Sequence, residues 1–104
     1  MKKVNLKDVG EAARKSPKGK YRAYSKEVSV ALGRVDGATD LNLRHPFDLT
    51  VARLPAGAAR CPYHAHSAQW ELYLIVSGKG KVRDESGWTE VGAGDCLLYT
   101  SRCV

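Results

Sequence analysis

The feature that most constrains this chain is a succession of short segments in which apolar and polar residues alternate. Alternation with a period of two is typical of β-strands, and here Gly or Pro residues stand between successive segments. The segments cover residues 27–32, 47–54, 69–76, 80–83, 88–91 and 96–99. Since no long helical pattern interrupts them, the sequence predicts an all-β antiparallel sandwich or barrel, and 104 residues suffice for one such domain.

The net positive charge of the chain comes entirely from its first residues. Residues 1–27 hold nine Lys or Arg and three Asp or Glu, which accounts for the whole net charge of +6. We therefore predict a basic N-terminal arm over residues 1–27, with a short helix at residues 8–15, followed by a β-barrel domain over residues 28–104. The arm contains no nucleic-acid motif, so a solvated arm is favoured over binding to nucleic acid.

Other features bear on the location of the protein. No run approaches the roughly 18 apolar residues of a membrane span, which excludes a transmembrane role. The charged residues 2–8 do not resemble a signal peptide, so we expect a cytoplasmic protein. Cys61, Cys96 and Cys103 show no C-x-x-C spacing, and reduced thiols are the default expectation.

The segment at residues 69–76 carries apolar side chains on both of its faces. One face holds Trp70, Leu72, Leu74 and Val76, and the other holds Gln69, Glu71, Tyr73 and Ile75. A strand of this kind is usually covered on both sides. A second subunit could cover the outer face, and we expect a homodimer. The alternatives are the N-terminal arm folded back, or a central position in a two-sheet sandwich.

Two of the three histidines are separated by one residue, in His64-Ala65-His66. On an extended chain both imidazoles point the same way, and Glu71 follows on the next strand. Two imidazoles and one carboxylate form an open-sided site that suits a divalent metal ion. The alternative is that the histidines are exposed loop residues and that Glu71 pairs with Arg53 or Arg60.

The wider pattern resembles the first signature motif of the cupin superfamily. It consists of Gly57, His64-Ala65-His66, Glu71 and Gly78, with six residues after Gly57 where the family usually has five. The turn at residues 92–95 is similar to the one that opens the second cupin motif. The resemblance implies a small, single-domain jelly-roll barrel in which His64, His66 and Glu71 hold manganese, iron, nickel or zinc. Gln69, Tyr73 and Ile75 would line a pocket for a small-molecule ligand.

The sequence after Asp95 departs from the family pattern. No Pro-x-Gly turn and no histidine follow, so the resemblance predicts a C-terminally shortened cupin with three motif ligands. His45 is the remaining histidine, and a turn residue is its favoured role. Two functions stay open. The first is a metal-dependent enzyme of the oxygenase or isomerase type, and the second is a non-catalytic small-molecule-binding or dimerisation module with an incomplete metal site.

Overall fold

The computed structural model describes residues 1–19, 21–35, 37–40, 42–59 and 70–99. The chain divides into two compact units, Met1–Pro62 and Tyr63–Val104. In chain order the elements are a 3-10 helix (Leu6–Asp8), β1 (Ala12–Lys15), β2 (Arg22–Glu27), α1 (Val28–Ala31), β3 (Thr50–Arg53), β4 (Glu71–Leu74), β5 (Lys79–Asp84), β6 (Gly87–Gly92) and β7 (Cys96–Tyr99). Among the described residues, no helix has the length and apolar character needed to cross a bilayer.

The first unit is built on an antiparallel sheet in the order β1-β2-β3. Its central strand turns two small side chains, Ala23 and Ser25, to the buried side. On the other side, the Arg53 guanidinium of β3 lies 4.2 Å from the centre of the Tyr24 ring and is hydrogen-bonded to Glu11 at 3.0 Å. Residues 12–15 and 22–27 of the expected arm thus lie in a sheet with β3, while the division of the chain at residue 27 stays a prediction.

Two local predictions in this unit are wrong. Residues 28–31 form the short helix α1 and not a strand, because Val28 and Leu32 also fit helical spacing and the Leu32 amide donates to the Val28 carbonyl at 3.0 Å. No helix forms over residues 8–15: a 3-10 turn at Leu6–Asp8 comes before them, and Ala12–Lys15 form β1. These strand residues pair with β2 because β2 satisfies their backbone groups, whereas an isolated helix of two turns is marginal.

The second unit contains two antiparallel pairs, β4 with β7 and β5 with β6. The expected hairpin is confirmed, and a two-residue loop joins Asp84 to Gly87. Gly87 itself has a φ of 114°. The Asp84 carboxylate accepts hydrogen bonds from the Ser86 hydroxyl at 2.6 Å and the Ser86 amide at 2.8 Å. Both hydrogen bonds lower the pKa of Asp84, and the bond from the Ser86 hydroxyl has the larger effect.

The turn at residues 92–95 is also confirmed. The Asp95 amide donates to the Gly92 carbonyl at 3.1 Å, and the Asp95 carboxylate accepts from the Gly92 amide at 2.7 Å. Gly94 has a φ of 91°, which favours glycine. The sheet-rich architecture agrees with the all-β prediction, and closure of the strands into a jelly-roll barrel stays a prediction.

Candidate functional site on strand β4

Strand β4 separates its side chains into two faces, as the alternation predicted. Glu71, Tyr73 and Ile75 are half-buried, whereas the intervening Leu72 and Leu74 are exposed. Neighbouring residues of a strand point to opposite faces, so the three half-buried side chains share one face. Two of the predicted pocket residues, Tyr73 and Ile75, therefore lie on the same side of the strand as the predicted metal ligand Glu71.

A direct hydrogen bond joins the carboxylate to the tyrosine. The Tyr73 hydroxyl donates to Oε2 of Glu71 at 2.9 Å. A hydroxyl hydrogen bond to an ionised acceptor is stronger than one between neutral groups, and it fixes the orientation of the carboxylate. Arg53, one of the two arginines considered as a partner for Glu71, is hydrogen-bonded to Glu11 within the first unit. Arg60 lies outside the described residues.

Tyr99 on β7 completes this group of side chains. It stands directly opposite Glu71 in the strand register, and its ring packs edge-to-face against Tyr73, with centroids 5.6 Å apart and planes at 82°. Its hydroxyl donates to the Arg83 carbonyl of β5 at 3.3 Å. We call Glu71, Tyr73 and Tyr99 the carboxylate–tyrosine cluster. The sequence interpretation missed Tyr99, although the alternation in Cys96–Tyr99 places it on the same face as Leu97.

The end of β4 is fixed to the turn before β7. The Ile75 amide donates to the Asp95 carbonyl at 2.9 Å, and the Gly94 amide donates to the Ile75 carbonyl at 2.7 Å. The glycine-rich turn thereby sets how β7 runs beside β4, and with it the position of Tyr99 against Tyr73. The turn at residues 92–95, which the sequence analysis likened to the start of the second cupin motif, thus supports the cluster.

Comparison with known proteins assigns the family. The family model of the cupin domain matches residues 50–104, which include β3 to β7 and the whole cluster. The chain belongs to the cupin family. No curated protein and no solved structure matches it significantly. The family assignment confirms the resemblance carried by the Gly, H-x-H, Glu and Gly pattern.

The remaining site residues predicted for this cupin, His64, His66 and Gln69, lie outside the described residues. Within the described ranges, no group of three His, Cys, Asp or Glu could hold a metal ion. The part of the site that is described fits a metal nonetheless, because a ligating carboxylate is normally itself hydrogen-bonded, as Glu71 is by Tyr73. His45 lies in the first unit with its ring 6.1 Å from that of Phe47, and its predicted turn role stays a prediction.

Proposed function

We propose that this cupin binds a divalent metal ion through His64, His66 and Glu71, and a small molecule beside it. Manganese, iron, nickel and zinc all accept two imidazoles and a carboxylate. The observation that carries the proposal is the hydrogen bond from Tyr73 to Glu71, because it holds a half-buried carboxylate in a fixed orientation at the glutamate position of the motif. We also propose that the protein is located in the cytoplasm.

The chain's own residues would shape the site. When bound, a metal of this type supplies Lewis-acid or oxygen-activating chemistry, which is the basis for proposing an oxygenase or isomerase. Tyr73 positions the Glu71 carboxylate through its hydroxyl and offers its ring to an apolar part of the ligand. Ile75 extends this apolar wall, and the Gln69 amide would supply a polar contact that orients the ligand.

One observation supports a second candidate, a non-catalytic module that binds a small molecule without a metal. A half-buried carboxylate needs a hydrogen-bond partner, and Glu71 already has one in Tyr73. Glu71 could therefore have a purely structural role in the sheet. This candidate differs from the first in a measurable way, because it predicts no saturable metal binding at the histidine pair.

The first experiment is a calorimetric titration of untagged protein with Mn²⁺, Ni²⁺ and Zn²⁺. We expect saturable binding, and metal at 100 times its Kd should raise the free energy of unfolding by about 2.7 kcal/mol. The double substitution H64A/H66A should abolish both effects. His45→Ala is the matched control, because it removes the histidine outside the motif and should leave binding unchanged. Binding that persists in H64A/H66A would show that the metal site is elsewhere.

A second variant tests the role of Glu71. Glu71→Gln keeps an oxygen that can accept the Tyr73 hydrogen bond, but it removes the negative charge. If Glu71 is a ligand, metal affinity should fall at least about 10-fold while the unfolding midpoint without metal changes little. Both roles predict that Glu71→Gln keeps its stability without metal, so metal binding decides between them. A wild-type protein that binds none of these three metals and no Fe²⁺ would contradict ligation by Glu71.

A further inference from the structure

Strands β1 and β2 form a hairpin whose turn end is strongly basic. Residues 14–22 hold five Lys or Arg and no Asp or Glu. Lys15 stands directly opposite Arg22 in the strand register, and both lie on the face of the sheet that carries Tyr24. Lys18 lies in the turn between the strands, and it is exposed, as Lys15 is. We call Lys15, Lys18 and Arg22 the basic hairpin end.

Hydrogen bonds hold the turn of this hairpin in one shape. The Ser16 amide donates to the Tyr21 carbonyl at 2.8 Å, and the Tyr21 amide donates to the Ser16 hydroxyl oxygen at 3.1 Å. The Lys15 side chain lies across Gly19, since a Cβ added there would be 3.1 Å from Lys15 Cε and 3.8 Å from its Nζ. The Lys15 ammonium is therefore held beside the turn that carries Lys18, and the arrangement is set within the first unit.

The acidic residues near this hairpin do not neutralise its turn end. Among the described residues, no carboxylate lies within 4.0 Å of a cation of the basic hairpin end. Glu11 before β1 and Glu27 at the end of β2 both lie at the opposite end of the hairpin. Glu11 is hydrogen-bonded to Arg53, and Glu27 lies 3.9 Å from Arg14. The positive charge at the turn end is therefore left uncompensated.

The pairing of Lys15 with Arg22 is unfavourable for the fold itself. Like charges that stand directly opposite each other destabilise an antiparallel pair of strands. A bound polyanion would remove this repulsion, so the pairing is better suited to binding than to stability. The first unit as a whole holds thirteen Lys or Arg and six Asp or Glu, and its field attracts polyanions.

We propose that the basic hairpin end binds the phosphate backbone of duplex DNA without reading its base sequence. The major groove of DNA, about 12 Å wide, admits a two-stranded hairpin, whereas that of an RNA duplex is too deep and narrow for side chains. A membrane surface fits less well, because stable anchoring combines basic residues with a lipid chain or large apolar side chains, and residues 16–19 have none.

The sheet changes what these cations can do. Side chains on a solvated arm must be ordered when a ligand binds, whereas the backbone of the basic hairpin end is already fixed by its pairing with β2. None of its residues belongs to the cupin motif. DNA binding is therefore a separate proposal from the metal site, and failure of one leaves the other standing.

The salt dependence of binding to a labelled DNA duplex, followed by fluorescence anisotropy, tests the proposal. Three phosphate contacts predict that affinity falls about 40-fold between about 50 and 200 mM salt. The variant K15Q/K18Q keeps one contact, so it should bind more weakly and lose only about 3.5-fold over the same range. The variant K79Q/K81Q is the matched control, because it removes two positive charges from β5 and should behave as the wild type does.

Lys15→Glu separates binding from folding. It places an opposite charge across from Arg22, so its unfolding temperature should rise above that of the wild type. Its affinity for DNA at about 50 mM salt should nevertheless fall at least about 10-fold, because one contact is lost and a repulsion is added. A merely structural role of Lys15 would not give a more stable protein that binds less DNA.

Several results would overturn the proposal. One is a wild-type protein that binds no DNA at about 50 mM salt and about 100 µM protein, the weak end of non-specific binding. Another is an affinity that K15Q/K18Q leaves unchanged, or that K79Q/K81Q lowers equally. Tighter binding to an RNA duplex, or to vesicles containing phosphatidylserine, than to DNA would assign the basic hairpin end to a different polyanion.

Discussion

The substitution Tyr73→Phe tests how the carboxylate of the proposed metal site is held. It removes the hydroxyl that donates to Glu71 at 2.9 Å and leaves the ring that packs against Tyr99. A net hydrogen bond at a partly exposed position contributes about 1 kcal/mol to stability. Loss of a group that orients a metal ligand typically lowers metal affinity about 10- to 100-fold. We therefore expect a small loss of stability together with a large loss of affinity.

Tyr99→Phe is the matched control for this prediction. It also removes one phenolic hydroxyl from the cluster, but that hydroxyl donates to the Arg83 carbonyl at 3.3 Å. Competition with a fluorescent chelator measures metal affinity, and urea unfolding of the metal-free proteins measures stability. Both variants should lose about 1 kcal/mol or less, and only Tyr73→Phe should bind metal more weakly. Equal metal affinity in wild type and Tyr73→Phe, or an equal loss in both variants, would refute the reasoning.

Two further predictions concern the sheets that support the fold. The hydrogen bond from Arg53 lowers the pKa of Glu11 below its ordinary value of 4.5, so the stability contributed by this pair is present above that pH and is lost as the pH falls through the lowered pKa. NMR titration should show the Glu11 pKa rising in Arg53→Gln, and an unchanged value would contradict the pairing. In the turn before β7, Asp95→Ala should destabilise the protein by about 1 kcal/mol because the Gly92 amide loses its acceptor, whereas Asp95→Asn keeps an acceptor and should cost less in the same urea assay.

In the described part of the second unit, the predicted turns and the predicted alternation agree with the structure because their sequence signals are local. The Asp84–Gly87 turn, the Gly92–Asp95 turn and the alternation in β4 each depend on residues near one another in the chain. The short helix α1 was missed because a run of five apolar and small residues fits both helical and strand spacing. There the choice depends on tertiary contacts, such as the hydrogen bond from the Leu49 amide to the buried Ser29 hydroxyl oxygen at 2.7 Å.

The sequence predicts which side chains of β4 share a face, but it does not predict which of them are hydrogen-bonded or packed together. Alternation alone placed Glu71, Tyr73 and Ile75 together, yet it could not choose among a metal, Arg53 and Arg60 as the partner of Glu71. The hydrogen bond from Tyr73 depends on rotamers, and the position of Tyr99 depends on the register between β4 and β7. Both are set by packing across strands that are more than twenty residues apart in sequence.

The central claim is that the cupin motif of this chain holds a metal ion, and elemental analysis tests it most directly. Untagged wild-type protein and H64A/H66A would be purified side by side without chelator, and their divalent metal content measured per chain. We predict about one ion per chain in the wild type and less than about a tenth of that in the double variant. Equal metal contents in the two proteins would contradict the claim.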